Sequence, residues 1–225
     1  MINADFSQRV VIRPDDYEWV PSPMPGVERM MLDRVGDEIA RATSLVRYQP
    51  GSVFSPHTHS GGEEFFVLEG EFGDEHGLYP RGTYVRNPIG TSHTPQVGDE
   101  GCTIFVKLYQ FNTADRQAVN LNANEAKWLP GLVPGLQVMR LHEYRTERVA
   151  LVKWAPNTLF QPHTHWGGEE ILVLEGRFFD DHGEYPTGTW IRSPDQSRHA
   201  PYTRDEAALI YVKVGHLAPE TLVSI

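Results

Sequence analysis

Three histidines and one glutamate in the first half of the sequence have the spacing of a metal site. His57 and His59 are two residues apart, so on a β-strand their side chains project from the same face. The glycine pair that follows lets the backbone bend and bring Glu63 to the same point, and His93 follows a Pro-Ile-Gly turn on another strand. Three neutral imidazoles and one carboxylate suit a divalent transition metal, with positions left open for water or a substrate.

The second half of the sequence repeats this arrangement with the same spacing. The matching residues are His163, His165, Glu169 and His199. The repeat predicts two domains, at residues 1–110 and 111–225, and up to two metal ions per chain. We expect Zn²⁺ or Fe²⁺ first, with Mn²⁺ and Ni²⁺ as further candidates.

Composition and charge exclude several classes of function. The chain of 225 residues is 40% hydrophobic, enough for a core, and has a net charge of −10 and a pI of about 5.4. Nucleic-acid affinity comes mainly from basic side chains, so we expect no nucleic-acid partner. We find no apolar run near the roughly 18 residues of a membrane span and no apolar leader, and we expect a cytoplasmic protein without a membrane partner. The single cysteine, Cys102, fits a reducing compartment and a buried core position.

Short apolar stretches separated by turns run through both halves. In the first half they lie at residues 8–13, 27–33, 39–48, 64–68, 83–86 and 103–109. The 20 Gly, the 17 Pro and the lack of a sustained helical period predict an all-β barrel or sandwich. Residues 112–127 are rich in Ala, Gln and Glu, but their match to residues 3–18 favours a connection followed by a strand.

Two aromatic–arginine pairs are candidates for lining a substrate pocket. Tyr84 and Arg86 are two residues apart, as are Trp190 and Arg192, so each pair shares one face of a strand. Facing inward, each pair would supply an aromatic wall and a cation for a carboxylate substrate. Alternatively, each arginine forms a structural ion pair.

Three further side chains stand next to the candidate ligands. Glu64 and Glu170 each follow a ligand carboxylate, and on a continuous strand they point away from the metal. We expect them to pair with a nearby arginine or to contact the ligands from outside. Trp166 follows His165 directly where the first half has Ser60, so the entrances of the two pockets should differ and one site could be catalytic while the other is structural.

The ligands belong to two longer motifs, Gly-x5-His-x-His-x3-Glu-x6-Gly and Pro-x-Gly-x2-His. Beside the four ligands, these motifs are filled by Gly51, Gly70, Pro88 and Gly90. In this the sequence resembles the cupin superfamily. The wording of residues 56–88, which returns at 162–194, is similar to the cupin domain of ChrR-type anti-sigma factors. The resemblance implies two tandem double-stranded β-helix (jelly-roll) barrels, each with a metal in its mouth. We add the expectation that the two barrels could exchange their first strands.

Two departures from the family pattern affect what can be carried over. In the second copy Asn157 and Gln196 stand where the first has glycine. Asn157 is a mild change because asparagine tolerates the left-handed region, whereas Gln196 could change how His199 is presented. The resemblance also implies that a complete anti-sigma factor of this type has a helical zinc domain with a Cys-x-x-Cys motif. A chain with one cysteine cannot contain that motif. We therefore do not expect a sigma factor as partner.

These observations predict a metal-binding, ChrR-like bicupin that responds to a small molecule or an oxidant at a mononuclear site. An alternative is an Fe(II)-dependent dioxygenase acting on a small diketone or enol, because the same ligand set serves both. A third possibility is that the metal only stabilises the barrel. The expected partner is a small molecule, and a homodimer is left open.

Overall fold

The computed structural model describes residues 1–37 and 39–218, and these residues are almost entirely strands and turns. The first ten strands are β1 (Val10–Ile12), β2 (Trp19–Pro21), β3 (Val27–Gly36), β4 (Ala40–Tyr48), β5 (His57–Thr58), β6 (Glu63–Asp74), β7 (Gly77–Pro80), β8 (Thr83–Asn87), β9 (Ser92–His93) and β10 (Gln96–Leu108). The next ten are β11 (Val119–Asn122), β12 (Leu129–Pro130), β13 (Leu136–Tyr144), β14 (Glu147–Trp154), β15 (His163–His165), β16 (Glu169–Asp180), β17 (Gly183–Pro186), β18 (Trp190–Ser193), β19 (Ser197–His199) and β20 (Ala208–Val214). A short 3₁₀ helix spans Pro14–Asp16, and no helix of the described residues has the length and apolar character needed to cross a membrane.

Both large sheets have the same antiparallel order, which confirms the predicted repeat of an all-β unit. One sheet runs β11-β8-β6-β10-β4-β3-β2, and the other runs β1-β18-β16-β20-β14-β13-β12. In each, a short strand pairs with the long central one: β7 with β6, and β17 with β16. Two-stranded sheets, β5 with β9 and β15 with β19, carry the candidate histidines.

The chain forms two compact units that do not coincide with the sequential halves 1–110 and 111–225. The first unit consists of residues 1–4 and 18–126, and the second of residues 5–17 and of the chain from Lys127 onward. The difference arises because β1 pairs with β18 and β11 pairs with β8. The first strand of each copy thus lies in the sheet of the other copy, which is the exchange of first strands expected as a possibility from the sequence.

Each unit has its own apolar core on one face of its sheet. In the first unit the core includes Phe65, Val67, Val85 and Ile104, and in the second Ile171, Val173, Ile191 and Ile210. These residues alternate along their strands with side chains of the opposite face. Because Glu63 and Glu169 are in step with these core residues, they share the core face, and Glu64 and Glu170 lie on the other.

Candidate metal centres

The first group of candidate ligands meets where β5 pairs with β9. This pairing sets His57 directly opposite His93. His59 follows β5, and its backbone N–H donates to the carbonyl of Thr91 (2.8 Å) in the turn before β9. Glu63 is the first residue of β6. One ligand atom from each of the four side chains lies within 4.8 Å of all the others.

The three imidazoles of this first site lie close together, and two of them lie beside one carboxylate oxygen. Their ring centroids are 4.7 to 5.0 Å apart. Glu63 Oε2 lies 3.5 Å from His59 Nε2 and 3.7 Å from His93 Nε2, and it accepts a hydrogen bond from Asn87 Nδ2 (3.1 Å). Three of the ligands are buried, whereas His57 is exposed. The site is therefore open to solvent on the His57 side.

The partner of each Nδ1 atom decides which histidine nitrogen can bind a metal. The Ser55 carbonyl lies 3.2 Å from His57 Nδ1, and the Asp74 carboxylate lies 3.0 Å from His93 Nδ1. A carbonyl and an ionised carboxylate can only accept a hydrogen bond, so each Nδ1 must carry the hydrogen. Each Nε2 then keeps its lone pair, which is the form that binds a metal.

Two buried nitrogens show that this first site fits a metal ion. The Nε2 atoms of His59 and His93 form no hydrogen bond with any described residue. A buried polar atom without a partner costs about 1–3 kcal/mol, and one cation would satisfy both. Burial, and then the charge of His57, lower the pKa of His59 to about 4, so this imidazole is neutral at pH 7. Burial raises the pKa of Glu63, while His93 and Asn87 act in the opposite direction.

The second site repeats this geometry for its histidines. His163 lies opposite His199 in the β15–β19 pair, and the ring centroids of the three histidines are 4.5 to 5.0 Å apart. The Gln161 carbonyl lies 3.0 Å from His163 Nδ1, and Asp180 Oδ2 lies 3.1 Å from His199 Nδ1, which selects the same tautomers. The Nε2 atoms of His165 and His199 are 3.0 Å apart. The three histidines form a cluster with mutual distances within 4.8 Å.

Glu169 lies beside this cluster rather than within it. Its Oε1 is 3.4 Å from His165 Nε2, and its Oε2 is 3.5 Å from His199 Nε2. Burial raises the pKa of Glu169 to about 7, with His199 opposing the rise. Burial, and then the charges of the other two histidines, lower the pKa of His165 to about 3. Burial also lowers the pKa of His199, but the hydrogen bond to Asp180 and the nearby carboxylates outweigh it, so that this pKa is raised.

The departure at Gln196 leaves the backbone around the second site unchanged. Gln196 has a φ of 63°, in the same left-handed region as Gly90 with a φ of 90°. The Gln196 N–H donates to the carbonyl of His165 over 2.9 Å, as the Gly90 N–H donates to that of His59 over 2.9 Å. The turn that presents His199 is therefore built as in the first copy.

Two aspartates that sequence reasoning did not single out orient the ligands. Asp74 and Asp180 end β6 and β16 and accept the Nδ1–H of His93 and of His199. The other oxygen of each carboxylate accepts two backbone N–H groups and one tyrosine hydroxyl. The donors are His76, Gly77 and Tyr79 in the first unit and His182, Gly183 and Tyr185 in the second. Burial alone would raise the pKa of both aspartates, but these hydrogen bonds outweigh it. The pKa of Asp74 is therefore lowered, and that of Asp180 is lowered to about 2.

Tyr84 and Arg86 lie on the sheet face opposite to Glu63, which corrects the expectation that they line the pocket. β8 sets Arg86 directly opposite Glu64 on β6. Glu64 accepts a hydrogen bond from the Tyr84 hydroxyl (2.9 Å) and pairs with Arg86 Nε (3.4 Å). Arg86 also pairs with Asp115 (2.8 Å), and all of these side chains are fully buried. The arginine thus forms the structural ion pair that was the alternative.

Trp190 and Arg192 take the corresponding places in the second unit. Trp190 Nε1 donates to Glu170 Oε1 (3.1 Å), and β18 sets Arg192 directly opposite Glu170. Arg192 also donates to the carbonyl of Asp5 (2.9 Å) at the start of the exchanged segment. Both side chains are fully buried on the face opposite to Glu169, so they do not line the metal-facing pocket either.

Trp166 differs from the other predicted pocket residues because it is open to solvent. Its side chain is 72% exposed, directly after the candidate ligand His165. Ser60 holds the corresponding place after His59 in the first unit. The two sites therefore differ at this position in bulk and polarity, and a contact of Trp166 with a substrate stays a prediction.

A family model described as "ChrR Cupin-like domain" matches this chain twice, over residues 7–112 and 116–218. Together the two matches take in both histidine clusters and nearly the whole sequence. No curated protein has a matching sequence.

Solved structures share the two-barrel fold at low sequence identity. A candidate dioxygenase from Nostoc punctiforme has a TM-score of 0.75 at 15% identity, over 92% of this chain and 82% of that chain. A candidate glyoxylate-induced protein from Pseudomonas aeruginosa has a TM-score of 0.73 at 16% identity, over 96% and 91%. The oxalate decarboxylase of Lactobacillus farciminis, in complex with formate, has a TM-score of 0.67 at 13% identity, over 92% and 86%. At these identities the likeness shows the fold alone.

Proposed function

The chain belongs to the ChrR cupin-like domain family, and on that premise we propose that it is a metal-binding bicupin with a mononuclear site in each barrel. The first site uses His57, His59, Glu63 and His93, and the second draws on His163, His165 and His199 with Glu169 beside them. The ion is a divalent transition metal, Zn²⁺ or Fe²⁺ before Mn²⁺ or Ni²⁺. Its role is to bind a small molecule or to respond to an oxidant in the cytoplasm.

One observation carries this proposal. At the first site, two buried Nε2 atoms without hydrogen bonds face a single carboxylate oxygen, and hydrogen bonds to Nδ1 set the tautomer of His57 and His93. Such an arrangement is costly without a cation and favourable with one. A bound divalent ion would supply Lewis acidity toward an oxygen-bearing small molecule and, in the case of iron, redox activity.

The cysteine supports placing any oxidant response at the metal rather than at sulfur. Cys102 is buried, and burial, followed by the charges of Glu69 and Glu71, raises the pKa of its thiol to about 12. The thiolate is the reactive form of cysteine, and at neutral pH it is almost absent here. Of the metal centre and this thiol, the metal centre is therefore where an oxidant response would arise.

A second candidate function is an Fe(II)-dependent dioxygenase acting on a small diketone or enol. Each site has a solvent-accessible side, at the exposed His57 and at the half-buried His163, from which a substrate would approach the ion. The fold likeness to a candidate dioxygenase and to an oxalate decarboxylase is compatible with such chemistry. A purely structural metal is disfavoured because each unit has its own apolar core, whereas domains that need a metal to fold generally have fewer than about 40 residues.

Elemental analysis of protein purified under nitrogen without chelator or added metal tests the proposal. We expect one to two divalent ions per chain. His57→Ala should empty the first site and leave the second loaded, and His163→Ala should do the converse, because the two ligand sets do not overlap. A chain free of metal, or loss of metal from both sites in either variant, would contradict the proposal. Oxygen consumption by the iron-loaded protein with a diketone would favour the dioxygenase.

A further inference from the structure

Glu63 and Glu169 take the same place in the two units, yet their carboxylates are held differently. A single oxygen of Glu63, Oε2, lies nearest to the Nε2 of both flanking histidines, at 3.5 and 3.7 Å. The two oxygens of Glu169 are divided between its histidines, with Oε1 at 3.4 Å from one and Oε2 at 3.5 Å from the other. A ligand atom of Glu63 lies within 4.8 Å of those of all three histidines in the first site. Glu169 does not belong to the corresponding group of the second site, which consists of the three histidines.

The residue opposite each glutamate accounts for the difference. Asn87 on β8 lies directly opposite Glu63 and donates from Nδ2 to Oε2 (3.1 Å). The corresponding residue on β18 is Ser193, which lies opposite Glu169 and is buried. A serine side chain is shorter and carries no amide, and across the described residues no hydrogen bond runs from Ser193 to Glu169. One amide thus selects the carboxylate oxygen that faces the histidines in the first site.

We propose that Asn87 is a positioning residue that makes Glu63 the fourth metal ligand of the first site, whereas the second site binds its ion through three histidines and leaves Glu169 uncoordinated. This inference rests on the proposed function, because both sites must bind a metal. The ion of the second site then has one more open position, with a free carboxylate beside it that can accept a hydrogen bond from a ligand. The two sites therefore suit different ligands: the second can bind one more donor atom than the first.

A matched pair of substitutions tests the ligand assignment, with Co²⁺ as the probe. His163→Ala combined with His165→Ala isolates the first site, and His57→Ala combined with His59→Ala isolates the second. In the first background, Glu63→Gln should weaken Co²⁺ binding by at least the roughly 10–100-fold that loss of an outer partner costs, and should shift the visible Co²⁺ spectrum. In the second background, Glu169→Gln should weaken Co²⁺ binding less than Glu63→Gln does in the first, because only a nearby charge is lost, and it should leave the visible spectrum as in its parent.

A reciprocal exchange tests the role of Asn87 itself. In the first background, Asn87→Ser should weaken Co²⁺ binding about tenfold and move the spectrum toward that of the second site. In the second background, Ser193→Asn should move the spectrum toward that of the first site. Both residues are small and polar, and far-UV circular dichroism confirms that each variant is folded. A packing role alone would not exchange the spectra.

Two results would overturn the inference while leaving the proposed function intact. One is an equal loss of Co²⁺ affinity in Glu63→Gln and Glu169→Gln, which would make both glutamates ligands. The other is parental affinity and spectrum in Asn87→Ser, which would remove the positioning role. Failure of both single-site parents to bind Co²⁺ would instead refute the proposed function.

Discussion

Asp74→Asn should weaken metal binding at the first site by reversing the tautomer of His93. Asp74 Oδ2 lies 3.0 Å from His93 Nδ1 and therefore accepts its hydrogen. An asparagine amide at this place offers N–H instead, so that Nδ1 becomes the acceptor and the hydrogen moves to Nε2, the atom that faces the metal. Rotating the amide to present oxygen would direct its NH₂ group toward the N–H donors of His76 and Gly77 and toward the Tyr79 hydroxyl.

The size of this effect follows from the geometry. The Asp74 side chain is 3% exposed, so its bond to His93 is a buried, charge-assisted one, worth about 1.5–3 kcal/mol. Outer partners of metal-binding histidines cost about 10–100-fold in affinity when they are mutated. Both estimates agree on a loss near 2 kcal/mol, which is roughly 30-fold in the dissociation constant.

Competition with a chromophoric Zn²⁺ chelator measures this loss, in protein whose second site has been emptied by His163→Ala and His165→Ala. Tyr79→Phe is the matched control, because it removes another hydrogen bond to Asp74 (2.9 Å) without touching His93. The control should lose much less affinity than Asp74→Asn. Equal losses in the two variants would refute the tautomer argument and leave only a general effect on the turn.

Three further predictions concern protons, metal and thiol. Metal binding to the second site near pH 6.5 should release at most about two protons per ion, since the pKa of His199 is raised and that of Glu169 is about 7, so both are partly protonated there, whereas the pKa of His165 is lowered to about 3. The metal affinity of the second site therefore falls as the pH drops. Titration calorimetry in several buffers counts the protons released on metal binding, and release of three protons per ion would contradict these pKa directions. Chelation should lower the melting temperature by linkage but preserve the far-UV spectrum, and collapse to an unfolded spectrum would mean that the metal is structural. Cys102 should react slowly with iodoacetamide at pH 8 in the native protein and quickly in guanidinium, and fast native labelling would contradict its burial.

The candidate ligands could be predicted from spacing because a strand has a period of two. His57 and His59 are held on one short segment, and the strand pairing then brings His93 opposite His57. The same period indicated that Tyr84 and Arg86 share a face, but not which face. That choice depends on Glu64, which lies opposite Arg86 in the neighbouring strand and offers it a buried counter-charge. Periodicity alone contains no information about such a partner, so it left the inward-facing pocket and the structural ion pair as alternatives, and the structure shows the ion pair.

The aspartates that orient the histidines were missed for a related reason. Asp74 and His93 are separated by 19 residues in the sequence. They meet because the fold brings the last residue of β6 beside β9. An acidic residue at a strand end is usually part of a turn, and Asp74 does accept the turn N–H groups with its other oxygen. The repeat contained the missing signal, because Asp180 has the same spacing to His199 as Asp74 has to His93.

Comparison of the two units separates what metal binding requires from what can differentiate the sites. Both units keep the histidines and the aspartate that sets the lone pair of the third one. They differ in the residue that anchors the glutamate and also in the charge next to the aspartate. Arg9, directly before the exchanged strand β1, donates to Tyr185 (2.7 Å) and lies 3.4 Å from Asp180. Among the described residues no arginine pairs with Asp74. The positive charge of Arg9 beside Asp180 weakens the hydrogen bond that this carboxylate accepts from His199. His199 should therefore be a weaker electron donor to the metal ion of the second site. The strand exchange thus gives two copies of one ligand frame different electronic surroundings.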